Sequence, residues 1–334
     1  MTSLSFDVCA IGNAIVDVIA EGDEAFLRRH SISKGVMTLI DEVRARALYD
    51  QMGTAVESSG GSAANTAAGI ASFGGKPAFI GKVRNDQLGH IFTHDMKATG
   101  VHFATPPLIH GPATARSLII VTPDAQRSMS TYLGATVELT PGDVDGEVIG
   151  AAQVTYLEGY LFDRPAAQAA FALASHKAHE AGRLVALSLS DPFCVERHQK
   201  AFRELVQHDV DILFANEREL KALYDLPTFE EAFDAARRDC ATVIGTRSAK
   251  GAVLAQGDHT ILVPAQAVQV VDTTGAGDAF AAGVLFGLTH GHSLEVAGRL
   301  GALAAAEVIS HYGPRPQKSL KTLALDLGLP VEES

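Results

Sequence analysis

Asp272-Thr273-Thr274-Gly275-Ala276-Gly277-Asp278-Ala279-Phe280 follows a β-type run, Ala267-Val268-Gln269-Val270-Val271, and precedes an apolar stretch from Ala281 to Leu288 that suits a helix. The predicted order is strand, glycine turn, helix. Such a turn aims free backbone N–H groups and the positive end of a helix dipole at one point, which makes an anion site. Gly275, Ala276 and Gly277 would supply the N–H groups. Asp278 lies inside the same turn, where a carboxylate would repel a bound phosphate. Either it caps a core helix, or it acts as general base on a hydroxyl that attacks the phosphate.

Outward from this turn the pattern is α/β. After residue 140, strands are predicted at 154–158, 184–189, 211–215 and 242–245, and helices at 165–181, 195–207 and 216–224. Strands alternating with helices imply a parallel sheet covered on both faces. Residues 6–19 read as one buried first strand interrupted at Gly12-Asn13, with further strands at 31–40 and 113–121. Helices are expected at 61–73, 85–99 and 294–310, the last ended by Gly313-Pro314-Arg315-Pro316. Two pieces, about 14–42 and 104–133, fit the alternation poorly.

The 334 residues could form one large α/β domain or two smaller ones. With 47% hydrophobic and 20% charged residues a substantial core can form. The net charge of −12 argues against a nucleic-acid or membrane-surface partner, which usually requires a basic field. Cys9, Cys194 and Cys240 lack metal or redox spacing and read as reduced core thiols. The start Met1-Thr2-Ser3-Leu4-Ser5 has no signal-peptide pattern, and no apolar run reaches ~18 residues, so a cytoplasmic protein is expected. Gly69 to Lys76 is one residue too long for a P-loop, and Phe280 spoils a dinucleotide fingerprint at Gly275-x-Gly277.

Four further places could carry chemistry. Asp17 interrupts an apolar run four residues after Asn13; a carboxylate there is costly unless paired or solvated at a cleft, and it could accept two bonds from a vicinal diol. Gly60-Gly61 lets backbone approach a ligand, and Asn65 can both donate and accept; the same stretch could be only a turn. Asn216 and Glu219 share one side of a helix start, which is also the pattern of a capping box. Arg127 could balance phosphate charge or be a solvated surface residue.

These segments resemble the ribokinase-like (PfkB) family of sugar and nucleoside kinases. The glycine turn is similar to its second signature, and Gly60-Gly61-Ser62-Ala63-Ala64-Asn65-Thr66-Ala67 to its first. Gly12-Asn13-Ala14-Ile15-Val16-Asp17 resembles its N-terminal substrate strand, and Asn216-Glu217-Arg218-Glu219 its Asn-x-x-Glu motif. The resemblance implies a large three-layer α/β domain with a small β lid from about 14–42 and 104–133, residues 1–334 forming one unit. It implies ATP and Mg2+ as cofactors, with Asp278 as base. Asn13, Asp17, Gly61 and Asn65 would hold the acceptor. Asn216 and Glu219 would help place Mg2+, largely through water. The loop Gly245-Thr246-Arg247-Ser248-Ala249-Lys250-Gly251 resembles the nucleotide loop, so Asn216, Thr246 and Gly251 would line ATP.

Leu187–Phe193, Val210–Glu217 and Gly12-Asn13 are closer to the adenosine kinase branch than to ribokinases proper. This implies phosphorylation of a primary hydroxyl on a ribonucleoside, adenosine first. A ribokinase- or fructokinase-like sugar kinase is the alternative, and a catalytically silent nucleoside-binding protein is one of another class. Tyr160, Leu161, Phe162, Leu39 and Leu133 are candidate walls for a purine, or ordinary core. Thr274 departs from the eukaryotic pattern of that branch, which has Asn. The family also leaves room for K+ near this loop, at Asp272 and backbone carbonyls, and for a monomer or a homodimer.

Overall fold

The computed structural model describes residues 4–124 and 126–331. Strands follow in chain order as β1 (Phe6–Ile11), β2 (Ile15–Glu21), β3 (Met37–Leu39), β4 (Ala55–Gly60), β5 (Pro77–Ile80), β6 (His102–Phe103), β7 (Ala115–Val121) and β8 (Arg127–Tyr132). Then come β9 (Ala152–Glu158), β10 (Leu184–Ser188), β11 (Ile212–Asn216), β12 (Thr242–Thr246), β13 (Ala252–Gln256) and β14 (His259–Val263). Nine of them form one sheet in the order β14-β13-β12-β11-β10-β9-β1-β5-β6, parallel except at β12/β13 and β13/β14.

A parallel sheet needs both faces buried, and the alternation along each strand shows how this chain does it. Cys9 and Ile11 of β1, with Leu157, Leu187, Leu213 and Val243, face the helices Pro165–Glu180, Gln199–His208 and Glu217–Tyr224. Val8 and Ala10, with Val154, Ala186, Ile212 and Ile244, face the helices Ser62–Phe73, Ala276–Thr289 and Leu294–Ile309. The last two are rich in alanine and glycine because they pack backbone against backbone: a Cβ at Gly283 would overlap Leu300 and Gly301. The three cysteines are buried and unbridged. Among the described residues no helix is long and apolar enough to cross a membrane.

The remaining five strands form a second sheet, β3-β8-β7-β2-β4. The predicted single strand 6–19 is in fact two: β1 joins the large sheet, and β2 leaves for the second after Gly12-Asn13-Ala14. Gly12 is needed at the divergence because a side chain there would occupy the place of the Glu158 carboxylate. Of 31–40 only β3 is strand, and β4 and β8 extend the second sheet beyond the sequence reading.

Two further expectations are corrected. The β-type run 267–271 is not a strand. The sheet ends at β14, Pro264 follows, and Val270 and Val271 are exposed, so β propensity has no ladder to join. The helix expected over 195–207 is two, Pro192–Arg197 and Gln199–His208, broken at His198.

Candidate active site

The C-terminal ends of β1, β9, β10, β11 and β12 open into a cleft of about 810 Å³, lined there by Asn13, Glu158, Ser188, Asn216 and Thr246. The strand ends of a parallel sheet are where an α/β fold leaves room for ligands. The second sheet closes the other side with Asp17, Leu39, Ile119, Met129 and Thr131. The glycine turn, Thr273 to Asp278, completes the lining.

At that turn Gly275 is the N-cap of the helix Ala276–Thr289, with φ +78° and no side-chain capping bond. A Cβ on Gly275 would lie 2.6 Å from the Pro314 carbonyl oxygen, so both backbone angle and packing demand glycine. The Gly275, Gly277 and Asp278 N–H groups have no partner among the described residues, whereas Ala276 N–H donates to Thr273 O at 3.3 Å. A Cβ on Gly277 would meet nothing within 4 Å. Uncapped donors, open space and the helix dipole together give a site for an anion. Asp278 Oδ1 accepts from Ser62 Oγ at 2.6 Å, and Oδ2 from Asn65 Nδ2 at 3.1 Å. Burial raises the Asp278 carboxyl above its ordinary range, and these two bonds oppose the rise. The result is an oriented carboxylate of increased basicity.

The helix Ser62–Phe73 begins at Gly61, φ +102°, again without a side-chain cap of its own. The cap comes from a distant strand end: Glu158 Oε2 accepts from Ala63 N–H at 2.8 Å. The other Glu158 oxygen accepts from Asn13 Nδ2 at 2.5 Å, and Asn13 Oδ1 accepts from Thr136 Oγ1 at 3.1 Å. Burial pushes Glu158 up to about 7, against the bonds from Ala63 and Asn13 and with help from the charge of Asp278. Asp17 is pushed up to about 6 by burial, partly offset by the charges of Arg127 and Arg315. No hydrogen bond within the protein satisfies the Asp17 carboxylate among the described residues, and Gly60 lacks a Cβ where that carboxylate lies. An unpartnered carboxylate facing a cleft is available to ligand hydroxyls. Asn13, Asp17, Gly61 and Asn65 are thus brought together beside Asp278.

The other sequence candidates fare differently. Asn216 and Glu219 line the cleft but form a complete capping box: Asn216 N–H donates to Glu219 Oε2 at 2.8 Å, and Asn216 Oδ1 accepts from Glu219 N–H at 3.0 Å. Burial raises Glu219 to about 7. Thr246 reaches the cleft, but Gly251 does not; it lies against β14, where a Cβ would overlap Val263 O. Tyr160, Leu39 and Leu133 line the cleft, whereas Leu161 and Phe162 belong to the core, Phe162 stacking on Phe202. The 3-10 turn Gly159–Asp163 rotates neighbouring residues to opposite sides, which separates Tyr160 from Leu161.

Arg127 is neither solvated nor in the cleft lining. Its guanidinium is ion-paired with Asp272, both side chains being nearly enclosed. Asp272 also accepts from Thr274 N–H at 3.0 Å, Thr274 Oγ1 at 2.7 Å and Gly313 N–H at 3.2 Å. Burial raises this carboxyl, but the bonds from Thr274 and Gly313 and the charge of Arg127 outweigh it and hold the group low. A carboxylate offers about four acceptor positions, and Asp272 has filled four. The residues therefore do not fit K+ on Asp272 in this arrangement. Among the described residues no group of three His, Cys, Asp or Glu side chains could hold a metal.

Two cleft residues, Ser62 and Glu158, and one residue behind the lining, Arg315, escaped the sequence reading. Ser62 stood inside the quoted glycine stretch and needed only a partner. Glu158 ends a predicted parallel strand, a position that could have singled it out. Arg315 lies in a proline-rich tail with no pattern to mark it, yet its guanidinium contacts Asn65 and Ser59.

Residues 30–321 match the model of the pfkB family of carbohydrate kinases. The crystal structure of adenosine kinase from Sinorhizobium meliloti superposes with a TM-score of 0.89 at 53% identity, covering 96% of this chain and 99% of that one. A probable sugar kinase from Rhizobium etli gives 0.91 at 51% identity, covering 99% and 100%. Adenosine kinase from Saccharomyces cerevisiae is 28% identical over 332 residues, which is 91% of this chain and 95% of the relative.

Proposed function

The chain belongs to the pfkB family of carbohydrate kinases, and from that premise we propose that it transfers the γ-phosphoryl group of ATP to the primary hydroxyl of a ribonucleoside, adenosine first. The observation that carries this is Asp278, a carboxylate of raised basicity held by Ser62 and Asn65 at the mouth of an uncapped helix N-terminus. The likeness at 53% identity to an adenosine kinase supports a nucleoside acceptor.

In this reading the acceptor sugar lies on Asn13, Asp17, Gly61 and Asn65, with its diol on the free Asp17 carboxylate. Asp278 takes the proton from the primary hydroxyl as the hydroxyl oxygen attacks the γ-phosphorus, and the bond from that phosphorus to the β–γ bridging oxygen breaks to release ADP. The Gly275 and Gly277 N–H groups, with the helix dipole, hold the charge that grows on the phosphoryl oxygens. When bound with ATP, Mg2+ would neutralise phosphate charge, and Asn216 and Glu219, already bonded to each other, would help place it through water. Thr246 borders the nucleotide, and Tyr160, Leu39 and Leu133 offer apolar surface to the base. Most of the acceleration comes from positioning and electrostatics. The second sheet acts as the lid, and the Arg127–Asp272 pair ties it to the glycine turn.

The test is an ADP-release assay with MgATP against adenosine, inosine, guanosine, cytidine, ribose, fructose and 2-keto-3-deoxygluconate, with and without K+. Turnover dominated by adenosine is expected. Preference for a free sugar, the reading favoured by the likeness to the Rhizobium etli protein, would keep Asp278 and discard the purine wall. Stabilisation by a nucleoside without turnover of any acceptor would make the protein a binder.

A further inference from the structure

Gly313 to Arg315 bridges the glycine turn and the opposite wall of the transfer site although it lies more than thirty residues from Asp278 in sequence. Gly313 N–H donates to Asp272 Oδ2, Pro314 packs on Gly275, and the Arg315 side chain crosses to the opposite wall. There Nε donates to Asn65 Oδ1 at 3.2 Å, one terminal nitrogen to Ser59 Oγ at 2.7 Å, and the other approaches Met96 Sδ at 3.5 Å.

The chemistry of these groups fixes their orientation. A guanidinium can only donate, so the end of the Asn65 amide that faces it must be the oxygen. The NH2 end is then turned to Asp278, where it donates to Oδ2. With the amide reversed, its oxygen would face the Asp278 carboxylate and repel it. We propose that Arg315 is a positioning residue for phosphoryl transfer: it locks the Asn65 amide so that its NH2 group holds Asp278 in the orientation needed to take the acceptor's proton. Arg315 does not line the cleft and has no bond to Asp278; it acts through Asn65. The inference rests on Asp278 as base, whichever acceptor is used.

A double-mutant cycle tests it, with Asn65→Ala, Arg315→Ala and the pair, using whichever acceptor the wild type phosphorylates. Failure of the nucleoside reading therefore leaves the test intact. Arg315→Ala is expected to lower kcat by about 10- to 100-fold. In the Asn65→Ala background the same change should lower it by no more than about 3-fold, since the amide it orients is gone. Arg315→Lys, which keeps a donor but not the fork, should fall between wild type and Arg315→Ala. It carries the same cycle if the alanine variant does not fold. Effects of Arg315 and Asn65 that multiply, or an Arg315 variant with wild-type kcat, would overturn the proposal.

Discussion

Two helix N-termini face the same cleft and are built in opposite ways. The helix Glu217–Tyr224 begins with Asn216 and Glu219 bonded to each other's backbone, so its first-turn donors are largely spent inside the protein. The helix Ala276–Thr289 begins with a glycine, has no side-chain cap, and leaves the Gly275, Gly277 and Asp278 N–H groups open. A capped terminus costs nothing to keep dry. An uncapped one keeps unsatisfied donors that only water or a ligand can serve. In the proposed reading the second terminus binds the anion and the first has a placing role.

The largest expected effect tests the open end. Asp278→Asn keeps the size of the side chain and removes the base, and turnover should fall by roughly 10²- to 10⁴-fold with nucleoside affinity nearly intact, measured by calorimetry. Substantial residual turnover would leave Asp278 as a mere helix-start carboxylate.

Asp17→Asn should weaken nucleoside affinity by roughly 10- to 100-fold, because a charge-assisted pair of hydrogen bonds to the diol is lost. It should also stabilise the free protein. The folded-state value is about 6, above the ordinary 3.8, so the ionised group opposes folding at higher pH, and this cost disappears as pH falls from about 6 to below 4. Thermal unfolding at pH 8 should show the variant ahead by roughly 2–4 °C, with the gap closing in acid. A lower melting temperature at pH 8 would mean that Asp17 has a structural partner.

Gly277→Ala separates space from strain. Its Cβ meets no protein atom, so the variant should fold at least as stably as the wild type. The methyl group would stand where phosphate belongs, and turnover should drop about 10-fold or more. Unchanged kinetics would place the phosphate elsewhere.

The smallest kinetic effect belongs to the capped end. Asn216→Ala breaks the capping box, and the melting temperature should fall by roughly 2–4 °C. At saturating MgATP the turnover should fall by no more than about 10-fold, as expected for a contact to Mg2+ made through water.

The alternation of strands and helices after residue 140 was legible because each buried strand is a continuous apolar run between turn residues. The second sheet was not. Its strand β4, Ala55–Gly60, carries Glu57, Ser58 and Ser59 and has no apolar run, since pairing with β2 rather than burial creates it. The run 267–271 misled for the converse reason: β-branched residues without a neighbouring strand remain irregular. Of the site, Asp278, Asn65 and Asp17 could be read because glycine turns and an acid in an apolar run are conspicuous. Leu161 was misplaced because one residue of phase in a 3-10 turn decides between cleft and core. Arg315 and Glu158 act through contacts spanning 250 and 145 positions, which no local pattern encodes.

The contrast between the two termini is tested most directly by measuring kcat at saturating MgATP and thermal midpoint side by side for Asp278→Asn and Asn216→Ala. The account predicts at least a 100-fold loss of turnover with a midpoint within about 2 °C of wild type for the first, and a lowered midpoint with turnover largely kept for the second. Turnover preserved in Asp278→Asn and abolished in Asn216→Ala would move the chemistry to the capped terminus and contradict it.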